Sequence, residues 1–332
     1  MKIGKTEINT GKPVYVVAEA GINHNGSMEI AKEMIEKGAE CGVNAIKFQT
    51  IFPDELFSKM LNPDWYNLCN KWSFTKNQHI ELKKHCEKNG IEFFSTPLGK
   101  KSTKLLYEIG VKTMKIASGE ITNYDLIKSV AKLKLPMIIS TGMTMISEIA
   151  SIVEIVKMEK CPFILLHCNS SYPTPIHDAN LRTIGFLQKT FDVPVGYSDH
   201  CIGNEVCLAA VSMGACLIEK HFTLDKHMEG PDQKLSSDPK EFSELVSKIK
   251  LVEKSLGQSR TGPTKSEEKF KNMMRKSIGT SRNISSGTKL TKSMLTFFRP
   301  GTGISPIYVD KILGLKIKKD IKKGSLLRWD MF

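Results

Sequence analysis

Short apolar runs alternate with amphipathic segments along most of this chain. The runs are VYVVAEAG (14–21), AIKFQT (45–50), IEFFSTP (91–97), TMKIASG (113–119), PMIISTG (136–142), FILLHCN (163–169), VPVGYSDH (193–200) and CLIEKHFT (216–223). Their length and their content of Val, Ile and Phe predict strands. Between them apolar residues recur at helical spacing, as Ile30, Met34 and Ile35 do in one segment and Ile80, Leu82 and His85 in another. Gly42, Gly90, Gly110 and Gly214 follow such segments, where helix ends favour glycine. The connections are long enough for crossover helices, so neighbouring strands are predicted to run parallel. Eight such units in about 240 residues have the count and size of a TIM (β/α)8 barrel. An open doubly wound sheet is the competing architecture. It would more often bring a Gly-rich dinucleotide turn, and the chain has none.

The pattern changes after residue 256. Residues 257–276 (GQSRTGPTKSEEKFKNMMRK) are polar and charged, and read as a linker with one helix. In residues 277–332 short β-like pieces alternate with turns: KSIGTSRN, SSGTKLT, FFRPGTG and KILGLKIKKDIKKGSLL. The expectation is a barrel over 1–256 and a small, mostly β domain over 277–332.

Composition narrows the class. The chain has 332 residues, 40% apolar and 25% charged, which suits a globular protein in water. No apolar run reaches the roughly 18 residues of a membrane span. The N-terminus, MKIGKTEINTGKPVYVV, lacks an apolar core bounded by a cleavage site, which argues against a signal peptide and for a cytoplasmic location. The eight cysteines are scattered without a CxxC pair, so reduced, buried thiols are expected rather than disulfides or zinc. The formal charge is +13. Its lysines are spread out, often at helical spacing, as at Lys248, Lys250 and Lys254, and no basic stretch is interleaved with aromatics. That pattern describes a solvated face rather than a nucleic-acid groove, while the overall field favours anionic substrates.

In parallel βα architectures ligands bind beyond the carboxyl ends of the strands. Alternation of side chains puts Glu19 on a face with Val17, Lys47 with Gln49, Lys115 with Ala117, His167 with Asn169, Ser198 with His200, and Glu219 with His221. Thr96 ends the third run. Ser118 and Glu120 follow the fourth, and Tyr172 lies just beyond the sixth. All runs but the fifth therefore end in charged, hydroxyl, amide or imidazole groups. A barrel centre that only packs would carry Val, Ile and Leu there. A lone polar group at a strand end is ordinarily structural; a ring of them argues for a site. Lys47 and Lys115, with the hydroxyls of Thr96 and Ser118, suit a phosphate or carboxylate, although one of the lysines could instead form a Schiff base. His200 and His221, each alone a plausible core residue, together suit a divalent ion such as Mn²⁺, with Mg²⁺ or Co²⁺ as alternatives and positions left open for substrate. Zinc would call for a third His or Cys. His24, in GINHNGS, is either substrate-facing or a local turn former.

The stretches AEAGINHNG, IKFQT, FSTP, KIASGE, ISTGM, HCNSSYPTP, GYSDH, EKHFTLDK, MEGPD and RPGTGISP resemble the motifs of the sialic acid synthase family, from about residue 14 to the end of the chain. That family includes N-acetylneuraminate, legionaminate and pseudaminate synthases. The resemblance implies a TIM barrel followed by an antifreeze-like domain, in a domain-swapped homodimer. It also implies condensation of phosphoenolpyruvate with an N-acetylated amino sugar to a nine-carbon 2-keto acid and phosphate. Lys47, Thr96, Lys115, Ser118 and Ser198 match phosphoenolpyruvate-binding positions. Glu19, Gln49, Glu120, Tyr172 and Asp232 match sugar-contacting or catalytic ones, with Glu19 and Glu120 both open as the group that handles water. His200 and His221 match metal ligands. Arg299 matches an arginine sent into the partner's site. The asparagine after HC is displaced by one residue relative to some members, so the contact belongs to Asn169 or to Ser170.

Three rival readings remain at this level. They are a pyruvate aldolase using Lys115, a sugar- or ice-binding protein without catalysis, and a basic nucleic-acid binder. The motifs do not distinguish N-acetylmannosamine from a 2,4-diacetamido-trideoxyhexose as the sugar, though EKHFTLDK and GPD lie nearer the neuraminate and legionaminate branches.

Overall fold

The eight runs form eight parallel strands. In a computed structural model that describes residues 1–332 they are β1 (Tyr15–Gly21), β2 (Ala45–Thr50), β3 (Glu92–Pro97), β4 (Met114–Ile116), β5 (Met137–Ser140), β6 (Phe163–Cys168), β7 (Val195–Asp199) and β8 (Leu217–His221). Hydrogen bonding links them in the order β3-β2-β1-β8-β7-β6-β5-β4. The first strand therefore pairs with the last, Glu19 level with His221, and β3 and β4 lie side by side to complete the ring. This is a TIM barrel.

Helices return the chain between strands, and their ends follow the sequence. Ser27 caps the helix Met28–Glu40 by accepting from the Ile30 amide. Thr75 with Gln78, and Asp238 with Glu241, form capping boxes at the helices Lys76–Lys88 and Pro239–Leu256. Gly42 and Gly90 end two helices at φ of 81° and 73°, which a side chain would strain. In the helix Lys76–Lys88 the buried stripe is His79, Leu82 and Cys86, one position off the expected Ile80 and His85.

Strand residues alternate between two cores. Val16, Ala18, Ile46, Phe48, Met114, Ile116 and Ile218 face the helices. Tyr15, Val17, Ala45, Phe94, Ile138, Ile164, Leu166 and Leu217 fill the lower barrel, joined by Ile3 and Ile8 at the N-terminus. Ile3 lies in a small antiparallel hairpin, Lys2–Ile3 with Thr6–Glu7. Gly196 is required here by close approach: a Cβ would stand 2.6 Å from Leu166 Cδ2 and from the Leu217 carbonyl oxygen. With apolar residues filling the floor, the upper layer is free for polar side chains.

The chain divides into two compact units, Met1–Gly257 and Gln258–Phe332. The second contains the helix Lys265–Met274 and an antiparallel pair, β9 (Ser277–Thr280) with β10 (Leu295–Phe298). Isolated bridges such as Ile284 with Ile321 connect the rest. Its core is Ile278, Ile284, Leu290, Ile304, Ile312, Ile317, Ile321 and Leu327. The helix is not a free linker: its Asn272 and Met274 carbonyls accept bonds from the Gly301 amide and from Arg299 Nε. All eight cysteines are buried and unpaired. No helix is long and apolar enough to cross a membrane.

Candidate active site

A cavity of about 290 Å³ opens at the carboxyl ends of the barrel strands. Of the expected residues it is lined by Glu19, Lys47, Gln49, Thr96, Lys115, Ser118, Tyr172, Ser198, His200, His221 and Asp232. Period-two alternation brings most of them there. Glu19, Lys47, Thr96, Lys115, Ser198 and Glu219 sit one layer above the apolar floor.

The centre is a chain of alternating charges. Lys47 Nζ lies 3.3 Å from Glu19 Oε2 and 3.1 Å from Glu219 Oε2. Lys115 Nζ lies 3.5 Å from Glu219 Oε1 and donates to Ser140 Oγ at 2.6 Å. Ser198 Oγ donates to Glu219 Oε1 at 3.0 Å. All four charged groups are buried. Glu219 and Glu19 respond differently. Burial pushes Glu219 up, but two ammoniums and a hydroxyl outweigh it and hold the carboxyl below its ordinary range. Glu19 has one close ammonium and is repelled by Glu219, so burial prevails and raises it to about 7. Burial lowers Lys115, partly offset by Glu219; for Lys47 the two carboxylates overcome burial and raise it. One carboxylate is thus fixed as an anion, and the other can exchange a proton near neutral pH.

The imidazoles of His200 and His221 stand 5.3 Å apart between ring centroids. His200 Nδ1 donates to the Asn169 carbonyl at 2.6 Å, so a ligand would meet Nε2. Burial lowers this ring, but the Cys168 thiol and the Asn169 carbonyl outweigh it and raise it above its ordinary value. His221 Nδ1 is buried with no hydrogen-bond partner, and Asp232 Oδ2 is 3.8 Å from it. Burial, followed by the field of His200, lowers His221 and keeps the ring neutral. A neutral imidazole with a buried, unpartnered nitrogen fits a divalent ion. No cluster of three or more His, Cys, Asp or Glu side chains converges. Two imidazoles would leave most coordination positions to substrate and water.

Three candidates lie off the cavity lining. Glu120 does not line the cavity; it accepts a bond from Asn123 Nδ2 at 2.9 Å. Asn169 also points elsewhere: its amide donates to the Asp178 carbonyl, its oxygen accepts from the Ser171 amide, and Ser170 lines the cavity instead. His24 does not line it either. Its Nδ1 accepts from the Gly26 amide at 3.0 Å and its ring stacks on Phe74, so it is a turn former. Arg299 belongs to the second unit, exposed, with Nε bonded to the Met274 carbonyl.

Other cavity residues escape sequence reasoning. In β6 the inward residue is Cys168; His167 faces outward and bonds the Ala179 carbonyl at 2.7 Å. The fifth strand, which by sequence lacks a polar end, supplies Ser140. Both strands are apolar on both faces, so alternation offers no parity to read. Glu219 is legible beside His221, and its strand position carries the signal, but the sequence assigns it no role.

Residues 34–261 match the NeuB family and residues 275–332 match the SAF domain. The chain is 44% identical over 331 residues to an uncharacterised protein of Methanocaldococcus jannaschii, covering 99% of this chain and 98% of that one. It is 37% identical to N,N'-diacetyllegionaminic acid synthase of Legionella pneumophila, covering 95% and 94%. Among solved structures, N-acetylneuraminic acid synthetase of Leptospira borgpetersenii superposes with a TM-score of 0.78 at 41% identity, covering 81% of this chain and 94% of that one. The family match spans most of the barrel unit and the C-terminal match spans most of the second unit, and the chain belongs to the sialic acid synthase (NeuB) family, with a C-terminal SAF domain.

Proposed function

We propose that this chain condenses phosphoenolpyruvate, water and an open-chain N-acetylated amino sugar into a nine-carbon 2-keto sugar acid and phosphate. The observation behind this reading is the alternation of Lys47, Glu219 and Lys115 beside a histidine pair in one buried cavity. Lys47 and Lys115, with the hydroxyls of Thr96, Ser118 and Ser198, hold the carboxylate and phosphate of phosphoenolpyruvate. Its C3 forms a bond to C1 of the sugar, and the carbonyl oxygen becomes a hydroxyl. Cationic charge developing at C2 lies near the fixed anion of Glu219. Glu19 takes a proton from the water that adds at C2, which balances the proton taken up by the sugar oxygen, and the remaining proton of that C2 hydroxyl leaves with the phosphate. The tetrahedral adduct then expels phosphate with the bridging oxygen, leaving a ketone whose oxygen came from water. His200 and His221 would hold a divalent ion, Mn²⁺ foremost. When bound, such an ion supplies Lewis-acid polarisation of the sugar C1 carbonyl. Gln49, Tyr172 and Asp232 line the part of the cavity left for the sugar.

The similarity to the Legionella enzyme makes a 2,4-diacetamido-trideoxyhexose the first sugar to try, and N-acetylmannosamine the second. We place the reaction in the cytoplasm and the active unit in a homodimer, with Arg299 of one copy completing the site of the other. Phosphate release across a sugar panel with Mn²⁺ tests the reading. With phosphoenolpyruvate labelled by ¹⁸O at the bridging position, the label should leave in phosphate. Label retained in the sugar acid rules out C–O cleavage.

One observation favours a second reading. Burial lowers the Lys115 ammonium, as an imine-forming lysine requires. Borohydride trapping of a pyruvate adduct on Lys115, with turnover in excess EDTA, would select the aldolase.

A further inference from the structure

Behind the two histidines, on the helix-facing side of the same strands, lies a buried ion pair. Lys220 and Asp199 stand directly opposite each other across β8 and β7. Nζ meets Oδ2 at 2.6 Å, and the two side chains are 2% and 0% exposed. Each is the chain neighbour of a histidine, Asp199 before His200 and Lys220 before His221. Because side chains alternate, the ion pair and the imidazoles occupy opposite faces of the same two strand ends.

The pair also grips the backbone. Asp199 Oδ1 accepts from the Cys201 amide at 3.0 Å, and Lys220 Nζ donates to the Cys201 carbonyl at 2.8 Å. The residue after His200 is therefore held at both its N–H and its C=O. Two further groups hold Asp199: Tyr197 Oη at 3.2 Å and Cys207 Sγ at 3.1 Å. Cys207 brings in the helix Glu205–Ser212.

Strand cohesion alone does not call for such a pair. Removing two charges from water is costly, and apolar side chains of similar volume often serve as well or better. An ion pair adds directionality. A slip of one residue between β7 and β8 would leave both charges buried and unpaired, so the register is fixed.

We propose that Lys220 and Asp199 are positioning residues. Their ion pair sets the register and separation at which His200 and His221 meet a divalent ion. The inference rests on the metal reading above and adds to it residues that touch neither ion nor substrate.

The test is Mn²⁺ affinity, measured by calorimetry and electron paramagnetic resonance on the full chain well below its melting temperature. The variants are Lys220→Met, the double variant Asp199→Asn with Lys220→Met, and His221→Ala. Lys220→Met leaves a buried carboxylate without its counter-charge and is expected to lower the melting temperature. In the double variant the amide needs no counter-charge and still accepts from the Cys201 amide. It should keep the parent circular dichroism while its Mn²⁺ affinity drops by about tenfold or more. A purely structural role would lower the melting temperature without moving that affinity. A folded double variant with the parent's affinity overturns the proposal. A double variant that cannot fold also overturns it, by making the pair a stability element. If the parent takes up no Mn²⁺, or His221→Ala takes it up equally well, the metal reading fails instead.

Discussion

Lys47 Nζ sits 3.1 Å from Glu219 Oε2, inside a barrel whose floor is apolar. Glu219 in turn faces Lys115 from its other oxygen. The two ammoniums are thus spaced by one carboxylate and aimed into the same cavity. Replacing Lys47 or Lys115 with alanine should raise the KM for phosphoenolpyruvate well above any change in the sugar KM. Each removes a charge-assisted contact of about 1.5–3 kcal/mol, roughly ten- to a hundredfold in binding. Steady-state kinetics with each substrate varied in turn checks this. A selective rise in the sugar KM would assign the lysines to the other substrate.

The two acidic candidates for handling water separate by position. Glu19 is buried in the cavity with its carboxyl raised to about 7, while Glu120 lies outside the lining and is bonded by Asn123. Glu19→Gln should lower kcat by about 10²–10⁴-fold, the usual worth of a general base. Glu120→Gln should stay near the parent rate. The opposite ranking would move the base to Glu120 and require a different loop conformation during turnover.

Acid should destabilise the barrel through histidines that take no part in the chemistry. Burial pushes His24 down to about 3 and also lowers His79 and His167. Each ring is neutral in the folded chain, whereas in the unfolded chain it takes a proton below about pH 6.5. Below that pH the unfolded state binds more protons. Stability is therefore full above it and is lost as pH falls, down to about 3 in the case of His24. Each such ring contributes up to about 1.4 kcal/mol per pH unit in its window. Urea midpoints between pH 7 and pH 4 should fall, and His24→Gln should flatten the slope if the variant folds. A parent midpoint unchanged over that range would contradict the burial argument.

The barrel is legible because its strands are bounded by turns and separated by capped, amphipathic helices. Every apolar run except AIKFQT is shorter as a strand by a residue or more, without changing type, as CLIEKHFT is in becoming Leu217–His221. Parity is legible only where one polar residue breaks an apolar face, as Lys47 does in β2 and Lys115 in β4. In β6 and β5 both faces are apolar, and the inward Cys168 and Ser140 cannot be told from His167 and Ile139. Interactions across strands leave no sequence signal either. The Lys220–Asp199 pair joins residues whose separation along the chain says nothing about contact.

Removing either imidazole should abolish activity and leave the barrel folded. His200 and His221 face the cavity rather than the packed core, so alanine there creates no hole among apolar side chains. Bound Mn²⁺, measured by elemental analysis after desalting, should fall in step with activity. Full turnover by a metal-free His221→Ala protein would remove the ion from the mechanism.

The last prediction concerns Arg299. Its Nε is committed to the Met274 carbonyl, and the residue is exposed. Its terminal nitrogens are free to donate elsewhere. It precedes PGTG in a unit of residues 258–332 with its own small apolar core. In the proposed homodimer it would hydrogen-bond the N-acetyl group or hydroxyls of a sugar held by another copy, and help exclude water. Truncation after Gly262 should then leave a folded barrel with little activity. Arg299→Ala and His221→Ala proteins should each be inactive alone. When they are mixed under conditions that exchange subunits, one site in each hybrid dimer has both wild-type residues. Up to about a quarter of parental activity per subunit should return, because random exchange makes half the dimers hybrid and each hybrid holds one intact site. Subunit exchange confirmed by native mass spectrometry without any return of activity would show that Arg299 does not act on another copy.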